Sequence, residues 1–448
     1  RRVPAFFNGM ATAADWMSAA SFIAMAGTLF LSGYDGLAFI MGWTGGYVLV
    51  AVFLAPYLRK FGQFTIPDFL GARYGGNLVR TLGVISAILV SFVYVVAQIY
   101  GVGLITSRFT GLEFGIGVFV GLAGILVCSF LGGMRAVTWT QVAQYIILII
   151  AYLIPVIWLG VKHTSNPIPH LSYGYVMQKL AEVEKKIAAD PKEAEVRKLA
   201  KARSDAAAEA LKNPEKAYAD GKAALEKRLA DLRAANAPAA EIEAAEKALA
   251  AYPPNVEEAK KLWTADRGLA PHAAALRPHA EAFPGATEEA RDVARRNFLG
   301  IVLCMMFGTA ALPHILMRYY TTPSVREARK SVFWTLFFIC LLYWSAPTLA
   351  VLAKYDVYSN IVGLKHADIP GWLAAWRAVD PDLIRFVDIN GDGVLQLAEM
   401  RIGGDLIVLM TPELAGLPYV VSGLVAAGGL AAALSTADGL LLTIANAL

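Results

Sequence analysis

The chain has 448 residues, of which 57% are apolar and 17% charged, with a net charge of +4 and a mean hydropathy of +0.50. A soluble globular protein runs about 45–50% apolar and about 25% charged, so a soluble enzyme and a disordered chain are both excluded. Residues 171–300 hold 43 of the 76 charged residues, 22 basic and 21 acidic. The pattern is an all-α polytopic membrane protein with one large polar insert. The net charge lies mostly in short loops and gives no reason to expect nucleic acid as a partner.

In chain order, eight stretches lack Asp, Glu, Lys and Arg and approach or exceed the roughly 20 residues that cross a bilayer: 16–34, 36–58, 81–107, 114–133, 136–160, 298–317, 331–353 and 414–437. In lipid they must be helices, because each backbone group needs a partner within its own segment. Arg1, Arg2, Arg59, Lys60, Arg73, Arg80, Arg135, Arg318, Arg326, Arg329 and Lys330 fall at the N-terminus or in loops after the second, fourth and sixth spans, whereas the opposite short loops carry Arg108. Positive charge stays inside, so we expect a cell (inner) membrane protein whose first residue is cytoplasmic. This divides the chain into spans one to five (1–160), an outside insert (161–297), spans six and seven (298–353), an outside loop (354–413) and span eight (414–448). The chain starts without Met and stops within an apolar helix, so we expect a portion of a longer protein. Cys128, Cys304 and Cys340 all sit in apolar segments and are expected as small core side chains.

The 161–297 insert is rich in Ala, Lys and Glu. Residues 181–213 and 217–251 read as helices, with Pro191, Pro214 and Pro253-Pro254 as punctuation. Charges of both signs alternate along them, as in a solvated hairpin or coiled coil; a stalk that binds an extracytoplasmic partner is the other reading. Its histidines show no metal-ligand spacing.

Three places within the apolar stretches carry chemistry. Asp15 heads the first span ahead of Ser18 and Ser21. It reads either as a helix cap or as part of a cation path, since acids within membranes are costly and mark function. Residues 428–439 join small residues to the adjacent hydroxyls Ser435 and Thr436, followed by Asp438. Hydroxyls and freed carbonyls suit a hard cation, or the hydroxyls bond back to the preceding turn; Asp438 reads as facing a water-filled vestibule. Pro313, just before His314, removes a helical hydrogen bond and should break the sixth span. The first span has weak points at Gly27 and at 18–21. Spans one and six would then be paired discontinuous helices of an inverted repeat.

The segments 18–27, 65–74, 136–144, 313–318 and 434–436, taken in order, resemble the sodium:solute symporter family, and look closest to its bacterial cation/acetate branch. The likeness covers 1–160 and 298–448 and leaves out the two outside segments. It implies a LeuT-like inverted-repeat core, truncated at the C-terminus. It also implies a coupling Na⁺ held by the carbonyls of Ala14, Met17 and Ala432 and the hydroxyls of Ser435 and Thr436, with Asp15 as the nearby acid and Asp438 and Gln141 along the ion pathway. Many relatives have an Asp where this chain has Gln141. The substrate is implied to sit against Ser18, Ser21, Trp43, Gln98 and His314.

A motif outside that family runs from Asp388 to Glu399. Asp388, Asn390 and Asp392 stand at positions one, three and five of an EF-hand loop, glycine at six, the Val394 carbonyl at seven and Glu399 at twelve. We expect Ca²⁺ there, with flanking helices from 383–387 and 397–400.

Together these readings make the chain a Na⁺-driven importer of a small organic solute, most simply a monocarboxylate such as acetate or pyruvate, working in a lipid bilayer. A symporter for proline, a sugar or a vitamin, and a symporter-like membrane sensor, are the alternatives. No outside segment offers the nucleophile–base pair or closed metal cage of an enzyme.

Overall fold

The computed structural model describes residues 3–447, except for the side chains of 124, 125 and 127–135; Cys128 and Arg135 lie outside the described side chains. Among the described residues six helical runs are long and apolar enough to cross a membrane: Ala20–Phe61, Asn77–Thr110, Ala136–Thr164, Glu288–Ala310, Val325–Asn360 and Tyr419–Ala447. Their surfaces are inverted relative to a soluble protein. Asn77–Thr110 buries Ser91 and Gln98 while exposing Leu82, Leu89, Phe92 and Val93. Exposed side chains of that kind suit hydrocarbon, and the polar groups turn inward where protein can satisfy them. Cys304 is also exposed and Cys340 half-buried, so neither is the core residue expected of it.

Helix breaks fall where backbone bonding fails. The first span begins earlier than its charge-free stretch, as the helix Ala5–Trp16. The helix stops at Met17 (φ −81°, ψ 73°), and a π-turn Ala20–Ala24 leads into Met25–Ser32. Gln98 accepts the freed N–H of Ala19 at 2.9 Å, which fills the break from a neighbouring helix. Gly27 does not break the helix; it is where the chain packs against Gly404 with no room for a Cβ. Gly33, at φ 56°, turns the chain into Leu37–Leu49, a conformation that costs a glycine little. In the sixth span, Glu288–Ala310 ends, Leu312 is extended, and Pro313 starts Pro313–Tyr320 from its first turn. Proline lacks the N–H that a helix start leaves unused, so the break falls where expected.

The expected interruption between the fourth and fifth spans is not present: Phe114–Thr164 is one 51-residue helix. Its glycines lower helix propensity without barring a helix, and Pro155 too is carried inside it. The eighth span starts at Tyr419, after a separate helix Ile407–Leu414 and a turn through Gly416 at φ 71°. Gly428 and Gly429 let it lie directly against Phe22, Ile105 and Ala151.

The insert divides more finely than two helices. Pro169–Ala188, Pro191–Ala210, Pro214–Ala234, Ala239–Ala250 and Val256–Arg267 follow one another. Pro191 and Pro214 open helices whose Asp190 and Asn213 side chains cap the first turn. Glu184 of the insert meets Lys354 of the helix Ser345–Asn360 at 3.7 Å, both buried. The 388–399 loop lies between two short antiparallel strands, Ile384–Phe386 and Met400–Ile402, with a 3₁₀ turn at Leu397–Glu399. The helices expected to flank it are therefore absent there; six residues of β-ladder do their work.

Candidate functional site at the two broken helices

Where Ala5–Trp16 ends, its last carbonyls have no helical partner. The eighth span supplies one for two of them. Ser435 Oγ donates to the Ala14 carbonyl at 2.8 Å, and Thr436 Oγ1 donates to the Asp15 carbonyl at 3.0 Å. Both hydroxyls also reach Ala432 O, at 3.0 and 3.2 Å. Ala14, Ala432, Ser435 and Thr436 thus form one buried oxygen cluster, with the Asp15 carbonyl added to it. Met17 sits in the break beside them, fully buried.

Asp15 occupies the last turn of its helix, not the first, so it is no N-cap. Its carboxylate takes a hydrogen bond from Arg318 Nε at 3.0 Å, and both side chains are buried. Arg318, expected as a loop charge, is instead 1% exposed. Its guanidinium also donates to Gln141 Oε1, and to Thr138 Oγ1 at 3.5 Å. Gln141 Nε2 in turn donates to the Ser435 carbonyl at 2.7 Å. Gln141 therefore bridges arginine and oxygen cluster through its two amide ends. Asp438 is 1% exposed and does not face a wet vestibule. The neighbouring Gly439 lies so close to the Asp15 carboxylate that a Cβ would collide with it. Sequence reasoning missed Arg318 as a site residue. The available signal was its place at the end of an apolar half-helix directly after Pro313-His314.

Beside this cluster lies a cavity of about 180 Å³ lined by Trp16, Ser18, Ala20, Ser21, Trp43, Tyr94, Thr309, Leu312, His314 and Tyr343. Four of the five expected substrate residues line it; Gln98 instead faces the Ala19 N–H in the helix break. Tyr94, Thr309 and Tyr343 were not foreseen. Ser21 and Tyr343 hydroxyls are 2.8 Å apart, and the Tyr94 ring meets His314 edge-on at 5.7 Å. His314 is buried, yet neither ring nitrogen has a hydrogen-bond partner. A buried polar group left unsatisfied is costly unless a ligand completes it.

In the 388–399 loop, Asp388 accepts from the N–H groups of Gly391 and Gly393 (2.8 and 3.1 Å), Asn390 from Asp392 N–H (3.1 Å) and Asp392 from Val394 N–H (2.9 Å). Glu399 is fully buried and accepts from Ile389 and Gln396 N–H. Ligand atoms of His366, Asp388 and Glu399 lie within 4.8 Å of one another.

The profile of the sodium:solute symporter family matches residues 1–214. An uncharacterized symporter of Cupriavidus necator is 55% identical over 458 residues, covering 100% of this chain and 67% of the relative. That likeness therefore runs through residues 161–297 and 354–413 as well. Among solved structures, a Na⁺-coupled sialic acid symporter, substrate-bound and outward-open, matches with a TM-score of 0.52 and 16% identity, covering 100% of this chain and 66% of that one. The chain thus spans about two thirds of the length of both proteins.

Proposed function

The chain belongs to the sodium:solute symporter family, and from that premise we propose that it is a secondary transporter coupling Na⁺ entry to import of a small monocarboxylate. The observation that carries this reading is the adjacency of two sites at the broken helices. One is the oxygen cluster of Ala14, Met17, Ala432, Ser435 and Thr436, proposed as the Na⁺ site. The other is the cavity in which His314 has both nitrogens unpartnered.

A hard cation takes oxygen ligands from hydroxyls and from carbonyls freed at a helix break. The Ser435 and Thr436 hydroxyls now spend their protons on the Ala14 and Asp15 carbonyls. With Na⁺ present, the same oxygens turn their lone pairs to the ion. Asp15 and Asp438 bring negative charge to this region, and Arg318 offsets part of it. Binding of Na⁺ draws the eighth span and the first half-helix together, which shapes the cavity formed by the same break. Coupling then needs no contact between ion and solute, because both stabilise one arrangement of the helices.

The cavity is smaller than the roughly 300–1,000 Å³ of drug-sized sites, which favours a solute of a few heavy atoms. Trp16, Trp43 and Tyr343 supply apolar walls for a short carbon chain. His314, Ser18 and Ser21 supply donors for a carboxylate. We also propose that it lies in the inner membrane with residue 1 cytoplasmic, which the loop charges support. We propose in addition one structural Ca²⁺ held by Asp388, Asn390, Asp392, the Val394 carbonyl and Glu399.

Uptake of labelled acetate, pyruvate, proline and glucose into proteoliposomes, with and without a Na⁺ gradient, tests the transport reading. Na⁺-driven uptake of the two carboxylates alone is expected. Gradient-driven uptake of proline or glucose instead would replace the solute, and uptake indifferent to Na⁺ would remove the coupling.

A further inference from the structure

Resting on the calcium reading above, we infer that the 388–399 loop is a calcium-dependent clasp that holds the 161–297 insert against the 354–413 connection. One set of observations points to an ion, and an independent set ties the loop to the insert.

The ion follows from more than a cluster of acids. Gln396, at position nine of the loop, is 5% exposed, and its Oε1 has no hydrogen-bond partner. Its amide is aimed into the loop, with Nε2 3.1 Å from Asp392 Oδ2. That oxygen, sealed from water at the other end of an amide whose nitrogen already donates to Asp392, lacks a positive partner. A Ca²⁺ ion provides one, directly or through a water at that position. Ligand atoms of Asp388 and Glu399 lie within 4.8 Å of each other. Two oxygens bound to one Ca²⁺ at about 2.3–2.6 Å are at most about 5 Å apart. The oxygen-rich set suits Ca²⁺ better than a softer metal.

The clasp follows from Ala398, the residue before Glu399. Both of its main-chain groups are held by the insert. Its N–H donates to Glu193 Oε2 at 3.2 Å, and its carbonyl lies 2.6 Å from His272 Nδ1, which places the ring proton on that nitrogen. Ile389, the second loop residue, is buried with Val196, Ala200 and Leu269 of the insert. Lys192 Nζ reaches Asp392 at 3.6 Å. These contacts exist only while positions two, five and eleven of the loop keep their relative places. Asp388, Asp392 and Glu399 repel one another without a cation, and opening that mouth carries Ala398 and Ile389 off the insert. A bound Ca²⁺ offsets two of the three negative charges, Lys192 lies beside the third at Asp392, and the seat closes.

The test uses the full transporter in detergent, stripped with EGTA and titrated with Ca²⁺ by calorimetry, while hydrogen–deuterium exchange is followed over 191–210. We expect one Ca²⁺ per chain with Kd on the order of 10⁻⁴–10⁻³ M. With Ca²⁺ at ten times Kd, exchange in 191–210 should slow about tenfold, since binding suppresses opening by one plus the ratio of ligand to Kd. Asp392→Asn, at an exposed position that spares folding, should raise Kd severalfold and shift the protection to higher Ca²⁺ in step. Glu399→Gln should abolish both. No binding up to about 10 mM Ca²⁺, above that affinity range, overturns the calcium reading itself. Binding with unchanged exchange in 191–210 overturns the clasp and leaves the calcium reading standing. Equal protection by Mg²⁺ would mean general charge screening and would also overturn it.

Discussion

Arg318 Nε lies 3.0 Å from the Asp15 carboxylate, and the pair is sealed inside the protein at the point where the first span breaks. A charge in that place is held by its partner, not by solvent. Removing one partner of a buried pair leaves the other uncompensated, at about 3–5 kcal/mol. Arg318→Gln should therefore lower the melting temperature strongly. The double substitution Asp15→Asn with Arg318→Gln should cost less than the two singles summed. Thermal unfolding of all three in detergent checks this; strict additivity would mean that the two charges do not support each other.

The hydroxyls of Ser435 and Thr436 touch the first half-helix directly, so in the proposed Na⁺ site they serve both fold and ion. A neutral hydrogen bond contributes about 1 kcal/mol and one to a charged group about 1.5–3. Ser435→Ala with Thr436→Ala should thus cost modest stability and raise the half-saturating Na⁺ concentration by about tenfold or more. Na⁺ titration of uptake in proteoliposomes measures it. A wild-type Na⁺ response would leave these hydroxyls as interhelical bonds only.

His314→Phe keeps an aromatic ring against Tyr94 and removes both unpartnered nitrogens. We expect normal folding, a solute KM raised at least tenfold (about 1.4 kcal/mol) and an unchanged Na⁺ dependence of what uptake remains. Unchanged KM for every solute tried would take His314 out of the site.

Gly27 packs onto Gly404 with no space for a methyl group. Overpacking of this kind costs about 1–3 kcal/mol. Gly27→Ala should lower the melting temperature without changing the affinity for Na⁺. A variant as stable as wild type would mean that the 404 segment shifts freely.

His279 in the insert is buried, and its pKa is pushed down to about 3 by desolvation, with the nearby Lys354 adding to it. The unfolded chain binds a proton near the ordinary value of 6.5 while the folded chain does not. His279 therefore contributes fully above about pH 6.5, and its contribution is lost as pH falls from there towards 3. Glu184, which accepts the His279 main-chain N–H, has its pKa raised chiefly by burial and acts with the opposite sign. Comparing wild type with His279→Gln across pH 4–7 isolates the histidine. The variant should lose less stability on acidification; parallel curves would remove the effect.

Much of this protein was legible from one dimension. Apolar length marks the apolar helices but not that spans four and five join, and Pro313 opens a new helix because it lacks the N–H donor, whereas Pro155 is carried inside one. The loop from Asp388 to Glu399 shows in its spacing, since the ligands proposed for it come from twelve consecutive residues. Local chemistry of this kind needs no knowledge of neighbours. Other features had to wait for the packed chain. Nothing at Met17 forbids a helix; the break is stabilised by Gln98, which bonds the N–H of Ala19 from 79 positions away. Arg318 has the sequence of a loop charge and becomes a buried ion partner only because Asp15 and Gln141 arrive from two other helices. Ala398 is an ordinary alanine until Glu193 and His272 of the insert take its backbone. Local bonding propensities are written residue by residue, whereas the partner of a buried polar group is decided by which helices the fold brings within about 3 Å of it.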